Sequence, residues 1–447
     1  MKPSNVKYVA LGVVLILLVG ALGGAVLILG DKNTSNSSQP VDRVPVFGNA
    51  NNDYEISNSD IDTLNYIIDN NIADWKENYP YADANQDGKI DSEDITAVQK
   101  YLNKEEMKLY YINYFGVVAY VNYPIVSSLD ELKIVVDGVI PMDFTVACGL
   151  WDQVVGVNTD GTIHHDSQIY PGVDDLKRIG NYREYTAEQV LASGANLVLG
   201  WTSAGAVDYF STWEDIDTVQ KEVSVVSVAS SGTDICQGAL TLHTLLNVEG
   251  DNIIEYVNFC DKCFKIVNDK LETTDKLTVI AAPAYQRNAT ANTTWVYLDS
   301  FVPAQAIWSV VDNKFAGEAG SQKTGCDAEW WLTSGTGPIV AMTYYSLYAA
   351  RDANQNFTQN YEEYARIAVE KNLGNTEAYA NHQIYLTDWS IMSLSGTAPG
   401  VYLLASMIYP DLFDQDDAID EMDYFMDHFS YRTEKMYYLG DITSEPQ

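Results

Sequence analysis

Positive charge is what this chain most lacks: 26 Lys and Arg face 62 Asp and Glu over 447 residues, a formal charge of −36. That balance repels phosphate backbones and anionic lipid, so nucleic acid is excluded as a partner. Histidine is nearly as scarce, with five in all; the one adjacent pair, His164 and His165, reads as part of a polar loop after Gly161. Absent too are a Gly-x-Ser-x-Gly elbow, a Walker loop, a dinucleotide glycine fingerprint and a His-Glu-x-x-His helix, so no enzymatic constellation stands out. The five cysteines, Cys148, Cys236, Cys260, Cys263 and Cys326, are too few and odd in number to close a disulfide framework. With 47% hydrophobic residues, the chain nevertheless has the material for real cores and for two or three domains.

From Tyr8 to Gly30 there is no charged residue, and Val, Leu, Ile, Ala and Gly dominate. A helix of that length spans the roughly 30 Å hydrocarbon core of a bilayer. Lys2 and Lys7 precede the run and Asp31 follows it. The bias of cations to the cytoplasmic side then predicts a single-pass signal anchor over residues 1–31, in the cell membrane, with the body extracytoplasmic. Residues 32–45, polar at first and without apolar period, read as a flexible stalk.

The string Asp83 to Asp94 places Asp83, Asn85, Asp87, Lys89, Asp91 and Asp94 at the first, third, fifth, seventh, ninth and twelfth positions of a calcium loop, with Gly88 at the sixth. Alternate side chains turn oxygens inward, Lys89 offers its backbone carbonyl, and glycine permits the tight turn. Upstream, Asn49, Asn51, Asp53, Ser57 and Asp60 repeat the spacing with fewer carboxylates and with Tyr54 at the turn, which predicts weaker calcium binding there. An apolar helical stretch follows each loop. Residues 46–104 resemble a dockerin module, a small all-α pair of loop-helix units. The resemblance implies calcium as cofactor and a cohesin domain as docking partner, met by Asn58, Ser59, Ser92 and Glu93.

Beyond Lys104, the runs LKIVVDG, QVVGVN, NLVLGW, VSVVSV, LTVIAAP, IVAMTYY and QIYLTD alternate with helical stretches, the pattern of α/β units with mostly parallel sheets. Between the fourth and fifth runs, Ile253, Val257, Cys260, Phe264, Val267 and Leu271 recur at steps of three and four, predicting one long amphipathic helix. The expected layout is a lobe over 105–250, a connecting helix over 251–272 and a second lobe over 273–447.

The segments GLWDQVVGVN, IGNYREYTAEQVLASGANLVLGW and GVYLLASMIYPDLFDQDDAIDEMDYFMDHF resemble the substrate-binding proteins of ABC importers for ferric siderophores, haem and cobalamin. That resemblance implies a periplasmic-binding-protein-like fold, a metal chelate or tetrapyrrole as small-molecule ligand, and an ABC permease met by one acid on each lobe, here Glu214 and Glu329. Open α/β sheets bind ligands beyond the carboxyl ends of their strands. Tyr182, Trp201, Tyr285 and Trp295 stand near such ends as aromatic candidates for the ligand cleft, and Arg287 could meet a ligand carboxylate or phosphate. A dockerin-bearing cell-surface glycoside hydrolase or polysaccharide-binding protein is the competing reading; hydrolysis would need two carboxylates across a cleft.

Overall fold

A computed structural model describes residues 43–158, 169–180, 186–200, 218–284, 294–345, 349–350, 352, 356–432 and 435–444. The expected anchor and nearly all of the expected stalk lie outside these residues. No helix among the described residues is long and apolar enough to cross a membrane. Val44 and Pro45, expected at the end of the stalk, are instead buried: the Val44 amide donates to the Asp53 carbonyl at 3.0 Å, and Ile112 donates to that of Pro45 at 2.8 Å.

The first unit is built from helices α1 (Asn58–Asp69) and α2 (Ser92–Leu102), one after each loop. Ser57 and Asp91 start them with capping boxes, their side chains accepting amide hydrogens while Asp60 and Asp94 reach back to the cap amides. Leu64 and Ile67 of α1 meet Ala97, Val98 and Tyr101 of α2 in a core continuous with that of the following lobe. A hairpin of β1 (Met107–Ile112) and β2 (Val118–Tyr123) comes next, antiparallel, with Leu109 opposite Val121 and Tyr111 opposite Ala119.

The N-lobe follows as β3 (Ile134–Val136), α3 (Val139–Ala147), β4 (Val154–Val157), β5 (Lys177–Arg178), α4 (Ala187–Ser193), β6 (Leu197–Leu199), β7 (Ser224–Val226) and α5 (Ile235–Leu246). Its five strands are all parallel in the order β5-β4-β3-β6-β7. β3 and β6 are buried on both faces, which is why they read as continuous apolar runs. The connecting helix α6 spans Ile253–Leu271. Its buried side includes the expected Ile253, Val257, Cys260, Val267 and Leu271, together with Tyr256, Phe259 and Cys263, whereas Phe264 is half-exposed. Packing against α5 on one flank and against the C-lobe on the other widens the stripe beyond a single ridge.

The C-lobe comprises β8 (Thr278–Pro283), β9 (Thr294–Tyr297), α7 (Val302–Val310), β10 (Asp312–Asn313), β11 (Gln322–Cys326), α8 (Ala328–Thr333), β12 (Ile339–Thr343), α9 (Tyr361–Leu373), β13 (Ile384–Asp388), α10 (Thr397–Ile408) and α11 (Gln415–His428). Four strands form a second parallel sheet, β10-β8-β12-β13, while β9 and β11 pair antiparallel beside it. α10 is buried along almost its whole length, Phe413 plugs the turn after it, and α11 lies over it. All five cysteines are buried and free, so the CDKC pair on α6 is packing.

The two lobes are tied to each other by a buried knot. Asp143 of α3 accepts from Arg432 Nη2 at 2.8 Å, from the Tyr170 hydroxyl at 3.3 Å, and from the amide and hydroxyl of Ser395 just before α10. From α6, the Tyr256 hydroxyl donates to the Ser395 carbonyl at 2.6 Å. Burial alone would lower the affinity of the Arg432 guanidinium for its proton, but Asp143 and Tyr170 beside it more than reverse that.

Candidate functional site

The second loop is closed by hydrogen bonds between its own side chains and amides. Asp83 accepts from the amides of Asp87 at 3.1 Å and Gly88 at 2.9 Å, Asn85 from Asp87 at 2.9 Å, Asp87 from Lys89 at 2.9 Å, and Asp91 from Glu93 at 2.8 Å. Asp94 closes the ring by accepting from Ala84 at 2.8 Å and from Asp91 at 2.8 Å. Gly88 takes the positive φ of 90° that only glycine adopts without cost. Burial pushes the Asp94 carboxyl up to about 6, against the pull of the amides it accepts from. Among the described residues no three Asp, Glu, His or Cys side chains converge on one point as a metal cage. The donor set is nonetheless hard and all-oxygen once Asn85 and the Lys89 carbonyl are counted, and it fits calcium by its chemistry.

In the first loop Asp53 accepts from Glu55 at 2.9 Å, and Asp60 from Asn51 at 3.0 Å and Ser57 at 2.7 Å. Asn49 turns its side-chain amide onto the carbonyls of Val44 and Asp53, both at 2.8 Å. Tyr54 keeps a negative φ, so this loop rounds its turn differently. Asn58, Ser59, Ser92 and Glu93 are all exposed. Beside the second loop a groove of about 400 Å³ runs between α2 and β1, lined by Asn85, Glu93, Thr96, Lys100, Lys108 and Tyr110.

The other candidate groups stand at the carboxyl ends of the two parallel sheets, one set in each lobe. In the N-lobe, Asp137 follows β3 and Asn158 follows β4; the Asn158 amide donates to Asp137 Oδ1 at 2.7 Å, both buried. Gly200 ends β6 and Ser227 ends β7. In the C-lobe, Asp388 at the end of β13 accepts from the Thr343 hydroxyl at 2.6 Å, from the Tyr345 amide at 2.9 Å and from Ser390. Desolvation raises its carboxyl above the usual range, and those four bonds oppose the rise. Next to it lies an aromatic platform: Tyr344 stacks on Trp389 with centroids 6.1 Å apart and shares a 2.7 Å hydroxyl bond with Tyr297, which stacks on Phe301 at 4.3 Å.

Of the ligand candidates read from sequence, Tyr182, Trp201, Tyr285 and Arg287 lie outside the described residues, as do Glu214, His164 and His165. Gly180, the last described residue after β5, has a positive φ of 120°. Trp295 is half-buried on β9, opposite Thr324, with its ring against the core. Glu329 is exposed in the first turn of α8. Asp137, Asn158, Asp388 and the platform were missed. The signal for the C-lobe group was present, because the runs IVAMTYY and QIYLTD each carry a polar or aromatic residue directly after the last apolar one.

No protein-family model and no curated protein matches the chain. Among solved structures, it resembles the TroA-like periplasmic binding protein FepB from Veillonella parvula at 14% identity and a TM-score of 0.54, over 72% of this chain and 95% of that one. It also resembles the molybdate periplasmic binding protein MolA of a Haemophilus influenzae ABC transporter at 17% identity and a TM-score of 0.50, over 73% and 98%. These likenesses show the fold: two α/β lobes with parallel sheets, built as in periplasmic binding proteins.

Proposed function

We propose that the chain is the substrate-binding protein of an ABC importer, held at the extracytoplasmic face of the membrane by its amino-terminal segment, and that it binds rather than transforms its ligand. The observation that carries this reading is the pair of all-parallel sheets flanking helix α6, the first ending in polar groups at its carboxyl edge and the second in polar and aromatic ones. The likeness to FepB and MolA supports it at the level of fold. The ligand is an iron- or cobalt-containing chelate or tetrapyrrole, siderophore, haem or cobalamin in class. Support for that class comes from the partly exposed Trp389, which the buried Tyr344 backs at the carboxyl edge of the second sheet and whose ring suits a large planar molecule.

The two-loop unit is a dockerin-like calcium module, with Asp83, Asn85, Asp87, Lys89, Asp91 and Asp94 as the tighter site. Its exposed Asn58, Ser59, Ser92 and Glu93 are free to meet a cohesin. Tryptophan fluorescence titrated with cobalamin, haem and ferric siderophores tests the transport reading: quenching by one of them is expected, and silence with all three would end it. Calorimetric titration of the chelated protein with calcium tests the module.

A further inference from the structure

We propose that the calcium loops and the N-lobe unfold as one unit, so that ion binding remote from the sheets governs the order of the N-lobe's outer edge. This inference rests on the calcium reading above. The first link starts in the second loop. Helix α2 begins at that loop's last donors and carries in its last turn Tyr101, which is buried against the N-lobe. The Tyr101 hydroxyl donates at 3.0 Å to the Thr244 carbonyl, one of the last-turn carbonyls of α5 that lack an acceptor role inside their own helix. Its ring stacks at 5.0 Å on Tyr123 of β2. Tyr123 donates to the Tyr101 carbonyl at 2.8 Å and accepts from the Asn247 side chain at 2.7 Å.

The second link starts in the residues that lead directly into the first loop. Val46 bridges to Tyr111, and the Phe47 amide donates to the Tyr110 carbonyl at 2.9 Å, fastening the loop to β1. The buried Tyr111 hydroxyl then donates to the Val225 carbonyl at 3.4 Å and accepts from the Ser227 amide at 3.2 Å. Both groups belong to β7 or its end, and β7 is an edge strand of the five-stranded sheet. The Tyr114 amide, donating to the Ser227 carbonyl at 3.0 Å, and the Asn122 side chain, donating to that of Gln220 at 3.0 Å, cover the same edge. An edge strand needs such partners, and Tyr111 supplies them from a hairpin that the first loop holds in place. The module therefore cannot open without orphaning buried groups on α5 and β7. An ion that binds only the folded loops then stabilises that edge as well.

Hydrogen–deuterium exchange of the full chain, in calcium and in chelator, reads the link at residues 224–246, which include no loop residue. With calcium at about 100 times its dissociation constant, exchange there is expected to slow by up to about 100-fold. Tyr101→Phe with Tyr111→Phe is expected to keep the calcium heat and lose the slowing; the single variant Tyr111→Phe serves if the pair does not fold. Calcium heat with unchanged exchange at 224–246 overturns the link and leaves the calcium reading standing. So does slowing that survives both substitutions, for it would put the link elsewhere. No calcium heat overturns both.

Discussion

The two loops share a spacing and a fold, and they differ at their heads. Each ends in a buried aspartate that accepts two or more amides, and burial raises both Asp60 and Asp94 to about 6. At the first position, however, Asp83 offers two acceptor oxygens to the loop interior, whereas Asn49 fills the same place with an amide that donates to two carbonyls. The first loop thus satisfies itself. The second leaves more negative charge around its centre than its own amides balance, and that excess is what a divalent cation would neutralise. Asp83→Ala should weaken calcium binding by on the order of 100-fold or more, while Asn49→Ala should change it by less than about 3-fold. Equal losses in calorimetry would erase the distinction.

Converting the first loop into a copy of the second sharpens the same point. Asn49→Asp restores the missing carboxylate, and Tyr54→Gly frees the turn to take the positive φ seen at Gly88. The double variant should bind one more equivalent of calcium than the parent, read directly as calorimetric stoichiometry. Unchanged stoichiometry would show that charge and turn are not what separate the loops.

Much of this was readable in the chain. The hydrogen-bonded course of both loops follows from side-chain spacing, because the donors and acceptors that shape each one lie within twelve residues. All seven apolar runs proposed as strands are strands, since a strand buried on both faces has no alternation to confuse. Contacts of long range were not readable. Asp143 and Arg432 meet across 289 positions, and neither has a neighbour in sequence that announces the other. Tyr101, Tyr111 and Tyr123 are three of 31 tyrosines in the sequence; the fold of α2, β1 and β2 sets them against α5 and the edge of the N-lobe sheet. The ligand candidates follow from strand ends, a rule that also points to Thr343, Tyr344 and Asp388, which close the runs IVAMTYY and QIYLTD.

Titration separates the loops by ion rather than by head group. In chelator, both Asp60 and Asp94 hold their protons more tightly in the folded chain than in the unfolded one, so stability is greatest below the ordinary carboxylate value of 3.8 and falls as pH climbs toward about 6. Urea midpoints should therefore decline across that window. Saturating calcium should reverse the slope arising from Asp94, because the ion requires the ionised form, and leave that from Asp60; Asp60→Asn should then lessen the remaining decline, to which the raised Asp388 also contributes. A decline that calcium leaves untouched would mean that Asp94 does not face the ion.

The smallest effects belong to the helix caps. Ser57 accepts from the Ser59 amide at 3.3 Å and Asp91 from the Glu93 amide at 2.8 Å, so each starts its helix, but only Asp91 is also a calcium position with charge. In chelator, Ser57→Ala and Asp91→Ala should each cost about 1 kcal/mol, the ordinary loss of a cap, with the shorter bond of Asp91 making it the larger of the two. Adding calcium should leave the Ser57→Ala deficit as it was and enlarge that of Asp91→Ala, since the substitution removes an oxygen from the ion as well as from the helix. If calcium enlarges both deficits alike, the ninth position serves the ion in both loops, and the first loop is a working site despite its amide at the head.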